Sequence, residues 1–356
     1  MQRYPLIDVL RGFAALIVVF YHVIEVGGWK GFPVTGLAMV PRIGWIGVDL
    51  FFVISGFVIG KTALAGYANG GNWRAIYTDR RLRRIAPLYL ATMACYLFLV
   101  HPNVLQQGWT SVAHVVSHLL FLHNISPTTY YSINGPSWSV ALEMQFYVVM
   151  ALATPWIARS AWWKVLMVWS SLAIGWRFVS TMVLPPGSSD SQLQMMVATQ
   201  LPGVLDQFAF GICLAKLAIS GHLSYRPARW LAWALSALTL LTLAWLTLWS
   251  HGPYWTFPWM VIMWRTLLSA GFAALLACVV MCPITGGWVT RPLRYLGEIS
   301  YGIYLWHFPV LLTLVEKSPL RDSKLLVATM TCTIAMAALS WHGFERLWLR
   351  QRPVIA

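Results

Sequence analysis

Charged side chains are scarce. Asp, Glu, Lys and Arg make up only 10% of the 356 residues, against roughly 25% in soluble domains. So few polar groups cannot cover the surface of a soluble fold of this length. Acids are the scarcer sign, with 11 Asp and Glu against 25 Lys and Arg. Lys and Arg are themselves absent from 101–138, 185–201 and 250–258. That distribution reads as a set of membrane orientation signals, and nucleic acid is not an expected partner. The five cysteines, Cys95, Cys213, Cys278, Cys282 and Cys332, lie in or beside apolar segments, which argues against a disulfide framework. Cys278 and Cys282 are one helical turn apart but have no nearby His or carboxylate in sequence, so no metal is expected. No phosphate-cradling glycine loop, dinucleotide fingerprint or serine elbow is present.

What is present is apolar and aromatic. Hydrophobic residues make up 58% of the chain, with 21 Trp and 14 Tyr, as expected where helices cross two membrane interfaces. A spanning helix needs about 20 mostly apolar residues. Such runs occur at about 6–25, 43–64, 86–100, 139–157, 164–184, 202–219, 229–250, 259–282, 298–316 and 324–344. The expected fold is all-α and integral to the membrane, with about ten spanning helices. The third run is short and should begin inside the basic stretch before it. The first is too long and too internally polar for a signal peptide.

Lys and Arg set the orientation. With the N-terminus in the cytoplasm, inner segments collect most of them, including Lys61, Arg74, Arg80, Arg81, Arg83, Arg84, Arg291 and Arg294. Outer segments hold only Lys30, Arg42, Lys317, Arg321 and Lys324. Both termini are therefore expected in the cytoplasm. Arg11, Arg177 and Arg265 fall within the membrane.

An ionisable group in the bilayer core is costly and points to function or to a buried partner. The intramembrane set is Arg11, His22, Asp49, Glu143, Arg177, Asp206, Arg265 and His307. Apart from Arg11, those whose depth the topology allows us to estimate fall in the outer halves of their helices, where an outward-opening polar cavity would collect them. The alternative for some is a structural ion pair, such as Asp206 with Arg265. Arg11 and His22 are eleven residues apart, three turns plus about 20°, so both project from one stripe of a helix, about 16 Å apart along its axis. That stripe carries a permanent cation near the cytoplasm and a titratable base near the outer side.

The loop before the third helix reads Tyr77-Thr78-Asp79-Arg80-Arg81-Leu82-Arg83-Arg84. It suits either an anchor against anionic lipid or bidentate binding of a phosphate-bearing ligand. His114, His118 and His123 lie in an outward-facing stretch read as an interfacial amphipathic segment. Gly56 and Gly60 form a small-xxx-small pair suited to helix packing.

These residues resemble acyltransferase family 3, the bacterial integral-membrane sugar and polysaccharide O-acyltransferases. The resemblance rests on Arg11 with His22, on Gly47-Val48-Asp49-Leu50-Phe51-Phe52, and on the Arg81 to Tyr89 run. It continues through Pro136-Ser137-Trp138-Ser139 with Glu143, Phe146 and Tyr147, and through Ser300-Tyr301-Gly302-Ile303-Tyr304-Leu305-Trp306-His307. It implies one membrane-embedded domain over 1–356 with no fused soluble domain, in the bacterial cytoplasmic (inner) membrane. It also implies transfer of an acyl group, usually acetyl, from cytoplasmic acyl-CoA to a hydroxyl of an extracytoplasmic or lipid-linked glycan. No resident cofactor is implied, since acetyl-CoA or another acyl-CoA is a substrate. Membrane lipids and polysaccharide assembly machinery are the further implied partners.

In that scheme Arg11, Arg81, Arg84 and Tyr89 would hold the acyl-CoA. His22 would act as general base, with Asp49 or Glu143 orienting its imidazole. Ser137, Trp138, Ser139, Tyr304 and His307 would line the acceptor side, Trp138 offering a stacking surface for a sugar ring. Transient acylation of His22 or Ser139 is the other route. A transporter or flippase of a lipid-linked sugar would share the intramembrane charges and the helices but would leave acetyl-CoA intact. A different membrane acyltransferase family would share the chemistry without these motifs.

Overall fold

The computed structural model describes residues 4–187, 190–223, 254–281 and 287–350, with isolated positions at 234, 237–239 and 241. Among the described residues the chain is helical throughout, without a strand. The helices are α1 (Pro5–Val26), α2 (Ile46–Asn69), α3 (Trp73–Cys95), α4 (Trp109–Leu119), α5 (Trp138–Arg159) and α6 (Trp162–Val183). They continue as α7 (Ser191–Ala198), α8 (Leu201–Ile219), α9 (Arg265–Met281), α10 (Arg291–Glu298), α11 (Ser300–Lys317) and α12 (Asp322–Ser340). Among the described residues, eight helical stretches are long and apolar enough to cross a membrane. The α10–α11 pair, bent by 69°, makes a ninth if it is one span. The protein is a multi-pass membrane protein. The expected span over 229–250 lies almost wholly outside the described residues.

One expectation needs correction. The basic stretch is not a loop. α3 starts at Trp73 and carries all four arginines as helix, so their side chains are distributed around an axis rather than along a strip.

Close backbone approach sets the packing. α2 and α8 cross where Gly56 meets the carbonyl of Phe208 and Gly211 meets that of Val53; a Cβ on either glycine would overlap the facing backbone. The small-xxx-small reading of α2 therefore holds, with Gly60 against Ile212. On the other side, Gly297 near the end of α10 lies against the backbone of Asp8, bringing the bent α10–α11 pair onto α1.

Proline within a span removes one backbone donor and frees the carbonyl four residues earlier. In α5, Pro155 frees Ala151 O, which accepts from Arg74 Nε at 3.0 Å. In α11, Pro309 frees Leu305 O, which accepts from Asn134 Nδ2 at 3.1 Å. The second bond ties the turn before α5 to the helix that carries His307. Away from these contacts the spans present apolar side chains outward: Leu152 is 72% and Val183 69% exposed, as a lipid-facing surface should be. Helix α4 turns Trp109, Val112, Val116 and Leu119 outward and buries Ser111, His114 and His118.

Candidate active site

Helix α1 provides the axis of the site. Its shared stripe brings Arg11 to an inner cavity of about 200 Å³ and His22 to an outer one of about 520 Å³. Val48 of α2 and Tyr304 of α11 line both. They form the wall between the two chambers. The Tyr304 hydroxyl donates to Pro136 O at 2.7 Å and lies 2.7 Å from Ser139 Oγ, so this wall is pinned to the first turn of α5.

The inner cavity is basic. Arg11, Arg81 and Arg84 line it together with Glu143. Glu143 Oε1 accepts from Tyr147 at 2.8 Å and from Ser55 at 3.1 Å. Arg81 donates to Thr62 Oγ1 and lies over the Tyr77 and Tyr147 rings. Arg84 lies 5.6 Å over the Trp341 ring. Among the described residues neither Arg11 nor Arg84 makes a hydrogen bond or an ion pair. Arg11 and Val58 also line a third chamber, a mouth of about 660 Å³ next to the start of α1.

The outer cavity is aromatic. Tyr21, Trp45, Tyr131, Trp138, Trp255 and Phe308 surround His22. His22 has an unexpected partner: His307 Nε2 lies 3.2 Å from His22 Nδ1. Carbonyl oxygens only accept, and this decides the tautomers. His307 Nδ1 contacts Tyr304 O at 2.6 Å and His22 Nδ1 contacts Val18 O at 2.9 Å. In the neutral pair both hydrogens therefore sit on Nδ1. His307 turns its Nε2 lone pair towards His22, and His22 keeps its own Nε2 lone pair. That nitrogen can take a proton from a bound hydroxyl.

Asp49 does not orient His22, contrary to the sequence expectation. Asp49 is fully buried and pairs with Arg265 Nη1 at 2.5 Å; a buried carboxylate without a cation would be far costlier. Glu143 belongs to the inner cavity and does not reach His22 either. The expected Asp206–Arg265 pair is also replaced. Asp206 Oδ2 accepts from Arg177 at 2.7 Å and from Thr266 Oγ1 at 2.6 Å. Arg265 still borders the outer cavity, stacked over Trp45 at 4.9 Å.

Tyr89 is likewise not part of the arginine cavity. It lies five residues after Arg84, about 140° around the helix, and packs against Phe121 at 4.7 Å with its hydroxyl 3.5 Å from His123 Nδ1. Ser137, Trp138 and Ser139 diverge. Trp138 faces the outer cavity, Ser139 the inner one, and Ser137 is buried with its Oγ 3.2 Å from His123 Nε2.

The histidine segment before α5 is more buried than its amphipathic reading suggested. The His118 and His123 rings stack at 3.9 Å. Burial pushes His118 down to about 4 and His123 to about 3. The described residues hold no group of three metal-ligating side chains.

Sequence reasoning assigned His307 to the acceptor side and missed its contact with His22. It also missed the partition formed by Val48 and Tyr304. Tyr147 was accessible to it, being four residues after Glu143 on the same helical face.

The acyltransferase domain of family 3 matches residues 4–342. A Bacillus subtilis protein to which a peptidoglycan O-acetyltransferase role is ascribed is 29% identical over 97% of this chain and 55% of its own length. The peptidoglycan O-acetyltransferase OatA of Listeria monocytogenes is 25% identical over 96% of this chain and 55% of its own. The acyltransferase MdmB of Streptomyces mycarofaciens is 28% identical over 87% of this chain and 79% of its own. The chain thus spans about half the length of the first two relatives. No solved structure matches it. With Arg11, His22, Arg81, Arg84, Glu143 and Tyr304 gathered around two adjoining chambers and the domain match running through all of them, the chain belongs to the membrane-bound acyltransferase family 3.

Proposed function

We propose that the chain transfers an acyl group, acetyl in the simplest case, from an acyl-CoA in the basic inner chamber to a sugar hydroxyl in the aromatic outer one. The observation that carries this reading is the meeting of two chemically opposite chambers at Val48 and Tyr304. Unpartnered arginines on one side suit phosphate, for which guanidinium is the fitting donor. Aromatic rings on the other side suit the apolar faces of a sugar, as they suit other ligands in concave sites. The basic side corresponds to the cytoplasmic side of the topology drawn from Lys and Arg, in a bacterial cytoplasmic membrane. The acceptor is an extracytoplasmic or lipid-linked glycan.

In the transfer, the acceptor hydroxyl attacks the thioester carbonyl while His22 Nε2 takes its proton. The carbon–sulfur bond breaks, and the leaving thiolate takes the proton back from His22. The products are the sugar ester and free CoA thiol. His307 holds the His22 ring from behind, the task in which a third group usually orients a catalytic base. Arg11, Arg81 and Arg84 hold phosphate.

The test uses purified protein in vesicles with labelled acetyl-CoA and a glycan acceptor. Label should pass to glycan. His22→Gln, which keeps a hydrogen-bonding side chain but is not a base, should slow transfer by roughly 10²–10⁴-fold with donor binding retained. Movement of intact sugar across the vesicle with acetyl-CoA untouched would make the protein a carrier and end the proposal.

A further inference from the structure

Resting on the acyl-CoA reading above, we infer that the mouth beside α1 is a nucleotide seat that holds the adenosine 3′-phosphate end of the donor against the indole of Trp341. The placement follows from length and charge. His22 and Arg11 lie about 16 Å apart along α1. An extended arm with its thioester at His22 therefore brings its pyrophosphate to Arg11. The adenosine then falls beyond Arg11, in the chamber that Arg11 shares with the inner cavity. That chamber, at about 660 Å³, is within the usual range for a small-molecule site.

Its lining suits a purine nucleotide. Trp341 opens a π turn, Trp341–Glu345, at the end of α12, and such bulges re-aim side chains within a helix, often at functional sites. Here the turn brings the indole both to the mouth and over Arg84, so the platform for a base adjoins an unpartnered phosphate ligand. Tyr295 and His342 form a second planar pair beside it, their rings stacked at 6.0 Å and Tyr295 OH 3.0 Å from His342 Nε2. The charges are segregated. Lys61 and Arg346 supply cations for a terminal phosphate, whereas Asp8 and Glu298 approach from α1 and α10. A bare polyphosphate would be repelled by those two carboxylates. An adenine has an exocyclic amine to donate to one of them.

The experiment measures displacement of labelled acetyl-CoA from the full chain in detergent. Adenosine 3′,5′-bisphosphate, S-acetyl-4′-phosphopantetheine and 3′-dephospho-CoA serve as competitors. Adenosine 3′,5′-bisphosphate should compete on its own. Trp341→Ala should weaken acetyl-CoA and the bisphosphate by roughly 5- to 150-fold, the range set by base–aromatic stacking. Its affinity for S-acetyl-4′-phosphopantetheine should stay within about twofold, and Trp341→Phe should restore most of the loss. Arg346→Gln provides an internal control against misfolding: it should erase the preference for CoA over 3′-dephospho-CoA while leaving the dephospho form unaffected.

Failure of the bisphosphate to compete while acetyl-CoA binds overturns the nucleotide seat and leaves the transferase reading intact. Equal weakening of all ligands by Trp341→Ala, with Arg346→Gln keeping the CoA preference, overturns it as well. If neither acetyl-CoA nor the bisphosphate binds the wild-type chain, the donor reading falls and the seat falls with it.

Discussion

Two kinds of arginine lie inside the helical bundle. Arg177 and Arg265 are buried, and each has a carboxylate, Asp206 at 2.7 Å and Asp49 at 2.5 Å. Arg11 and Arg84 face a chamber, and among the described residues neither has a carboxylate within ion-pair distance. Taking a guanidinium out of water is costly, and the cost is offset differently in the two kinds. The paired arginines have their counter-charge within the fold and join α6 to α8 and α9 to α2. The unpaired ones leave donors unfilled at a cavity wall, as a site for an anionic ligand must. An intramembrane charge alone therefore does not identify a site; an intramembrane charge without a partner comes closer.

Each side of this contrast can be broken. The largest effect is expected from Asp206→Ala. It strands Arg177 without a counter-charge and should destabilise the protein by about 3–5 kcal/mol, read as a lower unfolding midpoint in detergent. An unchanged midpoint would remove the structural role from that pair. Arg84→Ala should behave oppositely. It should raise the apparent KM for acyl-CoA by an amount equivalent to about 1.5–3 kcal/mol, the worth of a hydrogen bond to a charged group, with the unfolding midpoint nearly unmoved. A shift in stability with donor KM unaltered would place Arg84 among the structural arginines.

The smallest effect per step, here one pH unit, concerns ionisable groups of a third kind, buried and, among the described residues, without an ion-pair partner. His118 and His123 titrate at about 4 and about 3 in the folded chain, against 6.5 for a free histidine. The unfolded chain binds those protons first, so their contribution to stability is complete above pH 6.5 and is lost as pH falls towards 4 and 3. The loss should be about 1.4 kcal/mol per histidine for each pH unit within that window. It is measurable as a falling melting temperature, and His123→Asn should flatten the slope. A melting temperature that rises on acidification would contradict the burial of these rings.

Much of this was legible in the sequence, for reasons of distance along the chain. The Arg11–His22 stripe needs only helical periodicity within one segment. The packing role of Gly56 and Gly60 also follows from local spacing. Pairings between distant segments were not legible. Asp49 and Arg265 are 216 residues apart and His22 and His307 are 285 apart, so their contact depends on how α1, α2, α9 and α11 pack. Asp206 offered two arginines of equal local merit, and tertiary packing selected Arg177. Tyr89 was misplaced for a different reason: a motif was read as a contiguous patch, whereas a helix turns its fifth residue away. The two prolines carried a usable signal, since each marks a free carbonyl, but the donors Arg74 and Asn134 could be named only from the fold.

The wall at Val48 and Tyr304 has a consequence beyond chemistry. Two chambers converge on those side chains, so little but Val48 and a phenol ring lies between them. A bundle hollowed on both sides of so thin a partition depends on the few bonds that hold the partition in place. The two hydrogen-bonding contacts that hold the Tyr304 hydroxyl therefore set how far the ring can swing, and with it whether the two chambers stay separate or merge.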